Sequence, residues 1–349
     1  MTQRTLFAMA ALLLLLYATG CSLAETKQEI PSPVSHYPAK PADSASPVLQ
    51  GRLITIATGD ISGVYFPIGQ ALASIYEQSS SAVAGTRITK ASIENTQLVA
   101  QKKAELGFST TDALLLVNQQ SNAEAKQQQS HLRAITGLYS NYIHIVATQK
   151  SGIRSLKDLS GKRIGVGPIG SGTELTTERI LQAANLTRYD LKKHYFSFSQ
   201  SSQALRDGVI DAAFFSSGLP NPDVTSLAKD IPIVLVSIPE SVTRTLQAQS
   251  LYYSTKVIPG KTYAGLTDDV QTVAVKNVLF TYSDLPKETV YWLTRDFYEH
   301  LPEMYDVHPA AREIKIEEAD QGVYLPLHPG AAQYYEEQKN KGFMTRGGQ

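Results

Sequence analysis

Two stretches of the chain have the makings of an anion site. Residues 163–174, RIGVGPIGSGTE, read as a short strand (163–166), a glycine turn (167–172) and the start of a helix. Residues 52–65, RLITIATGDISGVY, use the same device: a β-branched run, a turn bracketed by Gly59 and Gly63, then a helical pattern over 68–78. Glycine admits positive φ and lets the backbone approach a bound group closely. A helix that begins straight after such a turn presents unpaired N–H groups, and its dipole favours negative charge there. In the later stretch the contacting residues are expected to be Gly170, Ser171, Gly172, Thr173 and Glu174. Ser171 or Thr173 also suits the helix cap, and Glu174 falls in the turn where the dipole favours an acid. In the earlier stretch they are Thr58, Asp60, Gly63 and Tyr65, with Asp60 or Ser62 as the cap. For Tyr65 a plain core position fits the pattern as well.

Other polar residues fall at strand ends. Ser92 and Asn95 lie between a strand expected over 87–92 and a helix over 95–103. Thr111 and Asp112 follow a short strand over 105–109, and Ser217 follows one over 211–215. Each can serve as a ligand donor or as an ordinary cap. Tyr139 sits between strands expected over 132–139 and 143–148, as a site wall or as hinge packing.

The same residues admit rival chemistries. Residues 165–170 match GxGxxG, and Asp190 lies where a ribose-binding acid belongs in a dinucleotide fold. Pro168 stiffens that turn, and the helix starts after Gly172 rather than within the motif. The turn also lacks the lysine of a phosphate-binding P-loop. A hydrolase would need Ser171 with His144 or His328, yet no GxSxG surrounds the serine. His328, in LHPGA, fits a catalytic base or a structural turn histidine. The seven histidines show no metal spacing such as HExxH. Neither a metal nor a cofactor is therefore expected, nor is catalysis.

The 349 residues carry 32 basic and 32 acidic side chains, so the chain lacks the basic excess of a nucleic-acid binder. The only cysteine, Cys21, rules out an intrachain disulfide. Its position is informative. Residues 1–20 join Arg4, an apolar run over 6–16 and the small residues Ala18, Thr19 and Gly20. That run is shorter than the ~20 residues of a spanning helix and reads as an export signal. A small-residue run ending in cysteine resembles the lipobox of bacterial lipoproteins, with Ala18 in place of the usual large aliphatic residue. The resemblance implies cleavage before Cys21, a lipid on its thiol and a membrane anchor in the cell envelope or periplasm. Ser22 resembles the outer-membrane sorting pattern. Residues 21–50, with five prolines and little apolar material, read as a disordered tether.

Beyond the tether, strands alternate with helices, which predicts an α/β fold with mainly parallel sheet and a ligand site at the carboxyl ends of the strands. Further strands are expected over 191–198, 233–236 and 270–281, and helices over 201–207 and 287–300.

Six blocks together carry a family likeness: TGDISGVYFPIG (58–69), ASIEN (91–95), STTDALL (109–115), the long run over 132–174, RDGVIDAAFFSSGLP (206–220) and VYLPLHPGAAQYYEE (323–337). In this order the chain resembles a TAXI-type solute receptor, the extracytoplasmic subunit of one class of TRAP transporter. The resemblance implies a two-lobed periplasmic-binding-protein-like fold with a hinge and a central ligand cleft. Lobe 1 would be residues 51–140 and 245–349, and lobe 2 residues 141–244. It also implies a small carboxylate ligand, either an amino acid such as glutamate or a 2-oxo or dicarboxylic acid, and a TRAP-type permease as partner. A sensor is the alternative partner. Asp60 stands where such receptors usually carry glycine. Facing the cleft it would pair with a ligand ammonium, and facing solvent it would only cap the turn.

Overall fold

The computed structural model describes residues 47–119, 131–186, 190–250 and 252–342. The export signal, Cys21, most of the tether and the closing glycine-rich tail lie outside those residues. The folded part begins slightly before the expected position. Leu49 is fully buried in the core and the Gly51 N–H donates to the Ser81 carbonyl, so the last residues assigned to the tether belong to the fold.

The first half of the chain runs β1 (Leu53–Ala57), α1 (Tyr65–Ser80), β2 (Val83–Arg87), α2 (Ser92–Ala100), β3 (Leu106–Thr110), α3 (Thr111–Gln119) and β4 (Leu132–Thr148). There follow β5 (Arg163–Gly165), α4 (Gly172–Ala183), β6 (Lys192–His194), α5 (Phe198–Arg206), β7 (Ala212–Ser217), α6 (Pro222–Asp230), β8 (Ile233–Leu235) and α7 (Glu240–Gln249). The chain closes with β9 (Tyr253–Ile258), β10 (Val270–Tyr282), α8 (Lys287–Glu299), α9 (Leu301–Val307) and α10 (Pro329–Asn340).

The sheet order is β2-β1-β3-β10-β4-β7-β5-β6, with β8 added on β4 and β9 on β10. Only the flanks are parallel: β2, β1 and β3 on one side, and β7, β5 and β6 on the other. The centre is antiparallel, against the expectation of a mainly parallel sheet. Every residue of β3 and of β7 is buried, as in sheets covered on both faces.

Two lobes meet along the central strands. One core gathers β1, α1, β3, the first half of β4, the last residues of β10 and the C-terminal helices. The other gathers Ile143, Ile145, β5, α4, β7 and α7, together with Tyr253, Val273 and Val275. The chain returns to the first core not at 245 but within β10, between Val275 and Val278. Both β4 and β10 therefore cross from lobe to lobe. The expected break at 139–142 is absent, and β4 is one continuous strand. Its polar residues Ser140 and Asn141 stay in the ladder because Lys276 and Val275 pair with them.

At the crossing β10 shifts register between Lys276 and Val278. Such a bulge bends and twists a strand locally. Leu138 and Tyr139 on β4 form it, and Asn277, fully buried, is the single β10 residue that faces them. Its amide donates to the Tyr139 carbonyl (3.0 Å) and to Asn141 Oδ1 (2.8 Å), while its Oδ1 accepts the Tyr65 hydroxyl.

A cavity at the converging helix N-termini

Between the lobes lies a cavity of about 230 Å³. On the first-lobe side its wall comes from the turn after β1 (Gly59, Asp60, Gly63), the start of α1, the segment entering α2, Thr110 at the end of β3, and Tyr139 and Asn141 on β4. On the second-lobe side it comes from the turn entering α4, the turn entering α5, and Ser216 and Ser217 ending β7. The helices α1, α2, α4 and α5 thus all begin at the cavity. The first N–H groups of each have no partner within their own helix.

Local chemistry fixes these starts. Ser171 caps α4, its Oγ accepting the Glu174 N–H at 3.0 Å. The turn before it needs glycine: Gly167 and Gly170 hold φ of +93° and +80°, and a Cβ on Gly167 would lie 2.8 Å from Thr173 Cβ. Ser197 and Gln200 form a capping box at α5.

Four buried hydroxyls on the cavity wall, Thr110 Oγ1, Tyr139 OH, Ser216 Oγ and Ser217 Oγ, make no hydrogen bond within the protein. Buried polar groups are nearly always paired, so this concentration at one cavity points to a polar occupant. Burial pushes the phenols of Tyr65 and Tyr139 well above their ordinary range, so both are neutral. Lys90 is the one cationic side chain among the described residues of the wall, and Asp60 is the one acidic side chain there. Apolar surface comes from Val64, Ala91, Pro168 and Phe198 and from the rings of Tyr65, Tyr139 and Tyr195.

Of the residues expected from the sequence, Asp60, Gly63, Tyr65, Ser92, Tyr139, Ser171, Gly172, Thr173 and Ser217 line this cavity. Asp60 reaches it while also holding its own turn, Oδ1 accepting from Ser62 N (2.9 Å) and Ser62 Oγ (2.7 Å). Tyr65 stacks on Phe108 with centroids 5.3 Å apart, so it serves core and cavity together.

Thr58, Asn95, Thr111, Asp112, Gly170 and Glu174 are not on the wall. Asn95 is fully buried and ties the strand ends together, donating to the carbonyls of Thr58 and Phe108 and accepting from Thr89 Oγ1. Thr58 bonds the Arg87 carbonyl, and Thr111 bonds those of Lys276 and Gly322. Glu174 folds back to accept the Gly170 N–H at 2.6 Å, which makes it a cap of the turn and commits both residues. Asp112 is held by the second lobe through Thr176 and Tyr253.

Thr89, Thr110, Asn141, Tyr195, Phe198 and Ser216 are wall residues that sequence reasoning missed. One signal was available: HYFSFSQ over 194–200 is a further strand end, turn and capped helix start. Asn277 gave no local signal, because its role depends on a bulge in a long-range pairing.

The geometry does not assemble a hydrolase. Ser171 Oγ is engaged by its cap, and neither His144 nor His328 is on the wall. His144 is buried between the Phe215 carbonyl and the Tyr263 hydroxyl. His328 caps α10, its Nδ1 accepting the Gly330 N–H at 3.1 Å.

Two lobes, two crossing strands and a ligand-sized cleft between helix N-termini define a hinged binding fold. Residues 56–338 match the model of the NMT1-like family, and the chain belongs to that family. Among solved structures it is similar to a protein of Bordetella bronchiseptica RB50, at 17% identity over 83% of this chain and 81% of that one, with a TM-score of 0.50. It is also similar to the alkanesulfonate-binding protein SsuA of Xanthomonas axonopodis pv. citri bound to MOPS, at 15% identity over 82% and 84% of the chains and a TM-score of 0.45. A binding protein component of an ABC phosphonate transporter from Pseudomonas aeruginosa matches at 12% identity over 75% and 79%, with a TM-score of 0.46. No described helix is long and apolar enough to cross a membrane.

Proposed function

We propose that this chain is an extracytoplasmic solute receptor, not an enzyme, that closes its lobes on a small carboxylate and presents the closed form to a membrane permease. The observation that carries the reading is the convergence of the α1, α2, α4 and α5 N-termini on a cavity with four unpartnered buried hydroxyls. Backbone N–H groups and neutral hydroxyls suit an anion whose charge is spread over several oxygens. The apolar rings suit its carbon skeleton. Asp60 on the wall favours an amino acid over a diacid, because a carboxylate there meets a ligand ammonium well and a second ligand carboxylate poorly. Lys90 at the same cavity partly offsets that preference.

The resemblance of the six sequence blocks to TAXI-type receptors supports a TRAP-type partner, and the cysteine that ends the export signal supports a lipid anchor at Cys21 in the periplasm or cell envelope. Thermal unfolding of the processed protein in the presence of glutamate, 2-oxoglutarate and succinate tests the reading, with the neutral diamide of succinate as control. A ligand that binds only the folded state stabilises it by about 2.7 kcal/mol at a concentration of ~100 Kd. A rise in midpoint with at least one acid and none with the diamide is expected. A larger rise with the diamide than with any acid would contradict it.

A further inference from the structure

Asp112 is a buried carboxylate that the cavity does not use. It opens α3 in the first lobe and is fully buried. Its Oδ1 accepts the N–H of Ala113 at 2.9 Å. Its Oδ2 accepts two hydroxyls from the other lobe, Thr176 on α4 at 3.0 Å and Tyr253 on β9 at 2.6 Å. Leu114, beside Asp112, packs in the first-lobe core, whereas Tyr253 packs in the second with Val273 and Val275. Burial pushes the Tyr253 phenol well up and the carboxylate charge pushes it further, so it stays a donor. Hydrogen bonds to a carboxylate are roughly twice as strong as neutral ones.

The tie leads directly to the cavity. The single Thr176 hydroxyl proton is shared with the Gly172 carbonyl one turn back, at 2.9 Å. At Gly172 the lobes pack closely: a Cβ there would lie 2.7 Å from Ser92 Oγ and 3.1 Å from Thr110 Oγ1. Ser92, Thr110 and Gly172 all line the cavity. One first-lobe carboxylate therefore grips the second-lobe helix whose N-terminus forms the cavity wall.

We infer that Asp112 is a positioning residue: it holds α4 against the first lobe and sets the fraction of ligand-free chain that is closed. The apparent affinity of any ligand scales with that fraction, although Asp112 touches no ligand. The inference needs the two-lobed fold and not the identity of the ligand, so it is tested on ligand-free protein.

The test uses paired spin labels at Gln97→Cys on α2 and Gln203→Cys on α5, both exposed, in a Cys21→Ser background. Pulsed dipolar spectroscopy then reads the interlobe distance. Tyr253→Phe and Thr176→Val remove the second-lobe donors while leaving Asp112 its bond to Ala113. Each is expected to shift the distance distribution outward, and the double variant to shift it further. Unchanged distributions in folded variants would overturn the inference. So would a lowered unfolding midpoint with no change in distance, since that marks a purely structural contact. Should the double variant fail to fold, the two single variants decide.

Discussion

The side-chain amide of Asn277 on β10 donates to Asn141 Oδ1 on β4 at 2.8 Å, joining the two strands that cross between the lobes. The same amide reaches the Tyr139 carbonyl, and its oxygen accepts the Tyr65 hydroxyl. Cavity wall and hinge thus share one hydrogen-bond network, since Tyr65, Tyr139 and Asn141 all line the cavity.

Asn277→Ala leaves the Tyr65 hydroxyl, the Tyr139 carbonyl and the Asn141 amide oxygen short of a partner in a buried site. An unsatisfied buried group costs about 1–3 kcal/mol. A loss of ~3 kcal/mol is expected by urea denaturation, and Tyr65→Phe should cost less, about 1 kcal/mol, because the Asn277 amide keeps its bonds to Tyr139 and Asn141. Equal effects from the two variants would show that Asn277 does not organise the network.

Gly172→Val places a branched side chain where Ser92 Oγ already lies 2.7 Å from an added Cβ. The clash lies between the lobes rather than inside a core, and hinge opening relieves it. The unfolding midpoint should change little, whereas calorimetry should show at least a tenfold loss of affinity, worth about 1.4 kcal/mol. Retained affinity would mean that the ligand is held with the lobes apart.

Much of this site was legible in the sequence because its key parts are local. A glycine turn followed by a capped helix is written in consecutive residues, as Gly170 to Thr173 show. The residues that misled were polar ones at the same strand ends. Asn95, Thr111 and Asp112 have the types and spacing of ligand donors, yet their partners are Phe108, Lys276 and Tyr253, set by tertiary pairing alone. The crossing strands show the same limit. Ser140 and Asn141 read as a break until β10 is laid alongside β4.

Ser171→Asp adds a negative charge at the N-terminus of α4. Aspartate caps as well as serine, so stability should hold or rise slightly. Affinity for an anionic ligand should fall by one to two orders of magnitude, roughly 1.4–2.8 kcal/mol, because like charges then share the cradle. Unchanged affinity in calorimetry would move the anion away from this helix.

Acidification should destabilise the protein through its buried histidines. Burial holds His144 down to about 4 from its ordinary 6.5, with its bond to the Phe215 carbonyl opposing the shift. Burial also lowers His308 and His328. A depressed pKa means that the unfolded chain binds the proton first. The contribution is whole above about pH 6.5 and is lost as pH falls toward 4. For His144 it amounts to about 3 kcal/mol. Denaturant midpoints measured from pH 7 to pH 4 should fall, and fall less in His144→Gln. An equal fall in that variant would assign the loss to other groups.

In the proposed function the helix N-termini close on a small carboxylate. Its most direct test is isothermal titration of the processed protein with glutamate, 2-oxoglutarate and succinate while the interlobe label distance is followed in parallel. Saturable binding of at least one of them, with a shorter mean distance and with loss of both in Gly172→Val, is the predicted result. Tight binding that leaves the distance unchanged, or no binding by any of the three, would contradict it.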